Sequence, residues 1–91
     1  MRALTPTTKF RRDYKRERKS DAGLDAVLQP VLDKLSADLP LAKSNCDHAL
    51  NGDWADHRDC HIRPDLVLIY AKPADGNLIL ARLGSHAELF G

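Results

Sequence analysis

The chain predicts a small α+β domain, an antiparallel sheet with two N-terminal helices packed on one of its faces. Three stretches carry this prediction. Between residues 24 and 35 the apolar side chains fall at spacings of three and four. Residues 57–62 alternate in character, and residues 66–70 form an unbroken apolar run. Ninety-one residues make one domain, 1–91, with a modest core.

Taken in order, Arg2 to Leu4 reads as a short first strand ended by Pro6. Thr7 or Thr8 is placed to cap a helix from about Lys9 to Lys19, where only Phe10 and Tyr14, one turn apart, offer an apolar stripe. Ser20–Gly23 breaks the chain. A second helix follows from about Leu24 to Ala37, with Leu24, Val27, Leu28, Val31, Leu32 and Leu35 on one face. Pro30 lies inside it and predicts a kink or a split, because it lacks the backbone donor. Residues 42–52 read as a loop with a short extended piece. His57, Asp59 and His61 are two apart, so an extended strand puts them on one face and Arg58, Cys60 and Ile62 on the other. Arg63-Pro64-Asp65 is a tight reversal, and Leu66–Tyr70 a central strand covered on both sides. Residues 72–77 contain Asp75-Gly76, a hairpin signal. Leu78–Leu83 is a last strand and residues 84–91 close the chain as one helical turn. The order is β-α-α-β-β-β, with the second sheet face left open.

Charge is unevenly spread. The formal net charge is +1, yet residues 1–20 hold eight Lys and Arg against two acids. A basic end on a nearly neutral protein points to a polyanion or an acidic partner, or simply to a solvated helix face. Two cysteines are too few for a disulfide framework, and no stretch has signal-peptide or membrane-spanning character. A reducing cytoplasm is the expectation.

All four histidines, 48, 57, 61 and 86, lie in the second half, with Asp47, Asp59 and Asp65 near them in sequence and Arg82 close to His86. Histidine exchanges a proton near neutral pH, and neighbouring carboxylates orient or tune it. With no Gly-rich phosphate loop, such a set suits metal-free phosphodiester cleavage: one group takes the ribose 2′-OH proton, another protonates the leaving 5′-oxygen, and a cation steadies the phosphate. Each residue has a plainer reading. Asp65 can shape the turn, Arg82 can pair with a carboxylate, Phe90 can plug the core, and Trp54 can pack on the sheet edge. A zinc site from Cys46, His48, Cys60 and His61 is disfavoured, because the spacing is unusual and adjacent strand residues point to opposite faces.

The segments Asp47-His48-x-Leu50-x-Gly52-x-Trp54, Arg58-Asp59-Cys60-His61-Ile62-x-Pro64-Asp65-x-x-Leu68-Ile69-Tyr70 and Leu83-Gly84-Ser85-His86-x-x-Leu89-Phe90 closely resemble the YafQ branch of the RelE-like toxins. Over residues 1–46 the likeness is looser. The resemblance implies the toxin of a type II toxin–antitoxin pair, a ribosome-dependent endoribonuclease that cuts messenger RNA in the A site without a metal or other cofactor. The implied partners are a cognate antitoxin in a hetero-oligomer, the 70S ribosome, and messenger and ribosomal RNA, with no membrane involved. It implies a site of His48, Asp59, His61, Asp65, His86 and Phe90, with Arg82 as a phosphate contact. The roles we assign are His86 as general acid, His48 or Asp65 as general base, Asp59 and His61 as orienting groups, and Phe90 stacking on a base. On this reading Lys9, Arg12, Lys15, Arg16 and Lys19 grip RNA phosphates or dock on an acidic antitoxin. His57 stands where relatives often carry an aromatic and is a bystander. The alternative is an inert module of the same fold that holds RNA or a partner.

Overall fold

In the computed structural model, which describes residues 1–91, the chain runs β1 (Ala3–Pro6), α1 (Thr8–Ser20), α2 (Leu24–Ser36), β2 (His48–Ala49), β3 (Arg58–Arg63), β4 (Leu66–Ala71), β5 (Asn77–Gly84) and α3 (His86–Phe90). Single 3₁₀ turns at Lys43–Asn45 and Gly52–Trp54 flank β2. The strands form one sheet in the order β1-β5-β4-β3-β2. It is antiparallel from β2 to β5, as expected. The edge strand β1 runs parallel to β5, because the chain crosses over through both helices before returning to the sheet. Pro6, which cannot donate to a ladder, is tolerated at the end of that edge strand.

The unbroken apolar run becomes the middle strand. Every residue of β4 is buried. Its even positions, Leu66, Leu68 and Tyr70, join a 14-residue core with Phe10 of α1 and the apolar stripe of α2. Its odd positions, Val67 and Ile69, meet Ala81 and Leu89 on the opposite face in a cluster of only four. Both helices therefore cover one face.

Local chemistry sets the element ends. Thr7 caps α1 by accepting the Phe10 N–H at 3.1 Å, and its hydroxyl donates to the Ala81 carbonyl at 2.9 Å, pinning the helix start on β5. Helix α2 runs through Pro30 without being split. Pro30 and Ala26, whose carbonyl the missing N–H would have served, both lie on the solvent side, where water can satisfy that oxygen. The turn at Pro64–Asp65 shifts the β3–β4 register between His61 and Arg63. Gly76 takes φ +88°, which the Asp-Gly turn into β5 requires.

Candidate active site

Strand pairing aligns the site residues into rows. His48 of β2 lies opposite Asp59 of β3, Asp59 opposite Ile69 of β4, and Ile69 opposite Arg82 of β5. The next row joins His61, Val67 and Gly84, and α3 starts two residues beyond Gly84. His48, Asp59 and His61 thus share the open face, and α3 folds back over it. The His61 and His86 rings are 5.1 Å apart between centroids, and His86 lies 5.9 Å from Phe90. Leu89 anchors α3 in the small cluster while Phe90 stays 42% exposed.

Asp59 lies at the centre. It is 2% exposed, and its Oδ1 has no hydrogen-bond partner. His48 Nδ1 is 3.1 Å from that oxygen. The same nitrogen is 2.7 Å from the Cys46 carbonyl. A carbonyl can only accept, so Nδ1 carries the proton and directs it there. The contact with Asp59 lacks hydrogen-bond geometry and becomes a charge attraction only when His48 takes up a second proton. The arrangement leaves Nε2 of His48 as a free acceptor. Burial pushes the Asp59 carboxyl above the usual carboxylate range, and the fields of His48, His61 and His86 pull it back in part.

The loop that carries His48 is fixed from the other side of the sheet. The Tyr70 hydroxyl and Arg58 Nε both donate to Asp47 Oδ1, the latter at 3.2 Å. Asn45 donates to the His61 carbonyl at 2.7 Å, tying the preceding 3₁₀ turn to β3.

The other expected residues are placed differently. Asp65 is exposed at the tip of the β3–β4 turn, and no hydrogen bond or ion pair joins it to a histidine. His57 precedes β3 and sits edge-on to Trp54 at 5.3 Å, apart from the other three imidazoles. Trp54 and Leu50 pack on the small open-face cluster. Arg82 donates to Asp13 through Nε at 2.7 Å and Nη2 at 3.2 Å, the carboxylate pairing weighed as its plainer reading. With Lys9, Arg12, Asp13 and Arg16 it lines a cleft of about 270 Å³. Lys15 and Lys19 flank a different part of α1, beside Tyr14 and Arg18.

Cys60 faces the helices, and burial pushes its thiol up to about 12, so it is neither nucleophile nor ligand. No group of three or more His, Cys, Asp or Glu side chains is gathered closely enough to hold a metal ion. No helix is long and apolar enough to cross a membrane.

Two site-supporting residues escape a sequence reading. Asp13, a carboxylate within a basic helix, is 3% exposed and accepts from Arg82, Arg16 and the Leu83 N–H. Glu88 forms a capping box with Ser85. The latter had a readable signal, Ser-x-x-Glu ahead of Leu89 and Phe90; the former had none.

Comparison with known proteins identifies relatives in both sequence and fold. The curated mRNA interferase toxin YafQ of Escherichia coli strain B is 35% identical over 82 residues, 90% of this chain and 88% of that one. Against two further curated relatives the aligned stretch is shorter, about half of the relative's length at 56% and 52%. Among solved structures, a copper-bound variant of a Helicobacter pylori toxin superposes with a TM-score of 0.91 at 41% identity, covering 99% of this chain and 100% of that one. YafQ in the Escherichia coli DinJ–YafQ complex gives 0.86 at 35% identity, with both chains fully covered. The family described as bacterial toxin of type II toxin–antitoxin system, YafQ, matches residues 2–91. With the fold and a family match over residues 2–91 in agreement, the chain belongs to the YafQ family of type II toxin–antitoxin toxins.

Proposed function

We propose that the protein is an endoribonuclease that cuts messenger RNA in the ribosomal A site, and that a cognate antitoxin restrains it in the cytoplasm. The observation that carries this reading is the convergence of His48, His61 and His86 around the buried Asp59, beside the exposed Phe90. RNA cleavage by its own 2′-OH needs a base, an acid and charge stabilisation around one phosphate, and imidazoles supply the first two at neutral pH.

His48 is the better base of the two candidates. Its Nδ1–H is held by the Cys46 carbonyl, its Nε2 is free, and the buried Asp59 carboxylate stabilises the imidazolium that forms when it takes the 2′-OH proton. Asp65, alone at its turn, has no comparable support. His86, at the start of α3, is the acid that protonates the 5′-oxygen. The His61 ring packs edge-on against His86 and orients it. Phe90 offers an exposed ring to stack on a base of the A-site codon. Lys9, Arg12 and Arg16 supply phosphate contacts along the cleft, with Arg82 oriented by Asp13. Lys15 and Lys19 meet ribosomal RNA or the antitoxin on the neighbouring face of α1.

The DinJ–YafQ complexes support an antitoxin partner for this chain. The test is translation in vitro of one message with and without ribosomes. Cleavage within codons that needs ribosomes is the expected result. An intact message with toxin bound would instead favour a binding module of the same fold.

A further inference from the structure

The contacts between α1 and α3 carry a role for three residues outside the histidine patch, and the inference rests on the nuclease reading above. Helix α3 has five residues, too few to hold its shape alone, yet it bears both His86 and Phe90. Three attachments keep it in place. Leu89 is buried in the open-face cluster. The Ser85–Glu88 capping box fixes its first turn, with Ser85 N–H donating to Glu88 Oε1 at 3.1 Å and Glu88 N–H donating to Ser85 Oγ at 3.2 Å. The third attachment comes from α1: Arg16 Nη2 lies 3.3 Å from Glu88 Oε2 and donates to the Leu83 carbonyl at 3.2 Å.

Arg16 is itself held. Its Nη1 donates to Asp13 Oδ1 at 3.1 Å, and Asp13 is locked by Arg82 and by the Leu83 N–H at 3.0 Å. Burial raises Asp13, but the bonds from Arg82 and Leu83 and the two guanidinium charges outweigh it and keep the carboxyl below its ordinary range. Gly84 leaves room for the approach, because a Cβ there would lie 3.3 Å from side-chain atoms of Arg16, Glu88 and Leu89 and crowd all three.

We propose that Asp13, Arg16 and Glu88 are positioning residues that set the place of His86 and Phe90 over the sheet. An exposed ion pair by itself stabilises little. This one is anchored on a buried carboxylate and steers a helix of one turn, so its effect falls on the position of the His86 ring, where a shift near 1 Å can cost about 100-fold in rate.

Glu88→Gln tests this in the full-length toxin. The amide oxygen still accepts the Ser85 N–H and preserves the cap, while the charge facing Arg16 is lost. The expected result is a drop of roughly tenfold in the single-turnover cleavage rate. Melting temperature and affinity for a 2′-O-methyl message should stay unchanged, and the nuclear Overhauser contact between the His61 and His86 rings should weaken. Arg16→Gln should lower the rate as well, and the double variant should be no slower than Arg16→Gln alone, as expected of one unit. A wild-type rate with an intact ring contact in Glu88→Gln overturns the proposal, as does an additive double variant. Should the wild-type protein cut no RNA while the ring contact weakens in Glu88→Gln, the nuclease reading falls and the positioning role stands.

Discussion

The two faces of the sheet are built from the same strands and do opposite things. Strand β3 gives Cys60 and Ile62 to the helix-covered side and Asp59 and His61 to the other. The covered side buries 14 residues in one cluster, whereas the open side gathers four apolar residues and a buried carboxylate whose Oδ1 has no hydrogen-bond partner. Burial on the first face stabilises the fold and frees the second from that duty. A group such as Asp59, which costs free energy to bury without a partner, is tolerated because its strand neighbours are held from the other side.

The sharpest way to separate the faces is to compare substitutions that spare one and damage the other. His86→Ala should lower the cleavage rate by about 10²–10⁴-fold, with the melting temperature near wild type, because the ring is exposed and serves chemistry. Growth arrest on expression without antitoxin should then disappear, and full toxicity would remove His86 from the mechanism. On the covered face, Leu68→Ala should cost about 2–5 kcal/mol in urea unfolding, since Leu68 is wholly buried in the larger cluster. Its folded fraction should cleave at the wild-type rate.

Smaller effects refine the comparison. Phe90→Ala should weaken binding of a non-cleavable message by about 1–3 kcal/mol through lost stacking and leave unfolding almost unchanged. Unfolding affected more than binding would make Phe90 a core plug.

Asp59→Asn should abolish most cleavage while raising stability by about 1 kcal/mol near pH 8, because a buried unpartnered charge is removed. The sign follows from the raised pKa of the buried Asp59 carboxyl. Between its unfolded and folded values the native chain binds the extra proton, so wild-type stability falls as pH rises through that window. The advantage of Asn should therefore shrink as pH falls below the unfolded value, where both side chains are neutral. An advantage independent of pH would assign the gain to packing.

The legible parts of the chain were those whose signal is local. Apolar spacing marked α2, alternation marked β3, the run from Leu66 marked β4, and Asp75-Gly76 marked the turn into β5. Helix α1 begins at Thr8, capped by Thr7, one of the two candidates read from the sequence. Helix α2 continues through Pro30, as the apolar spacing on both sides of it indicated, since on a solvent-facing side the lost hydrogen bond did not split the helix.

The sequence alone determined which chemistry the chain has to offer, the order of its elements apart from the two-residue strand β2, and the family to which its second half points. Those are properties of residue type and short spacing, and they need no knowledge of what lies across the sheet. Tertiary structure alone decided that β1 runs parallel to β5, that His48 meets Asp59 through a two-residue strand, and that Asp13 meets Arg82 69 residues away. It also left Asp65 apart from the imidazoles. The physical reason is that a long-range pairing is selected by the burial and polar satisfaction of the whole fold, and no short window of sequence contains both partners.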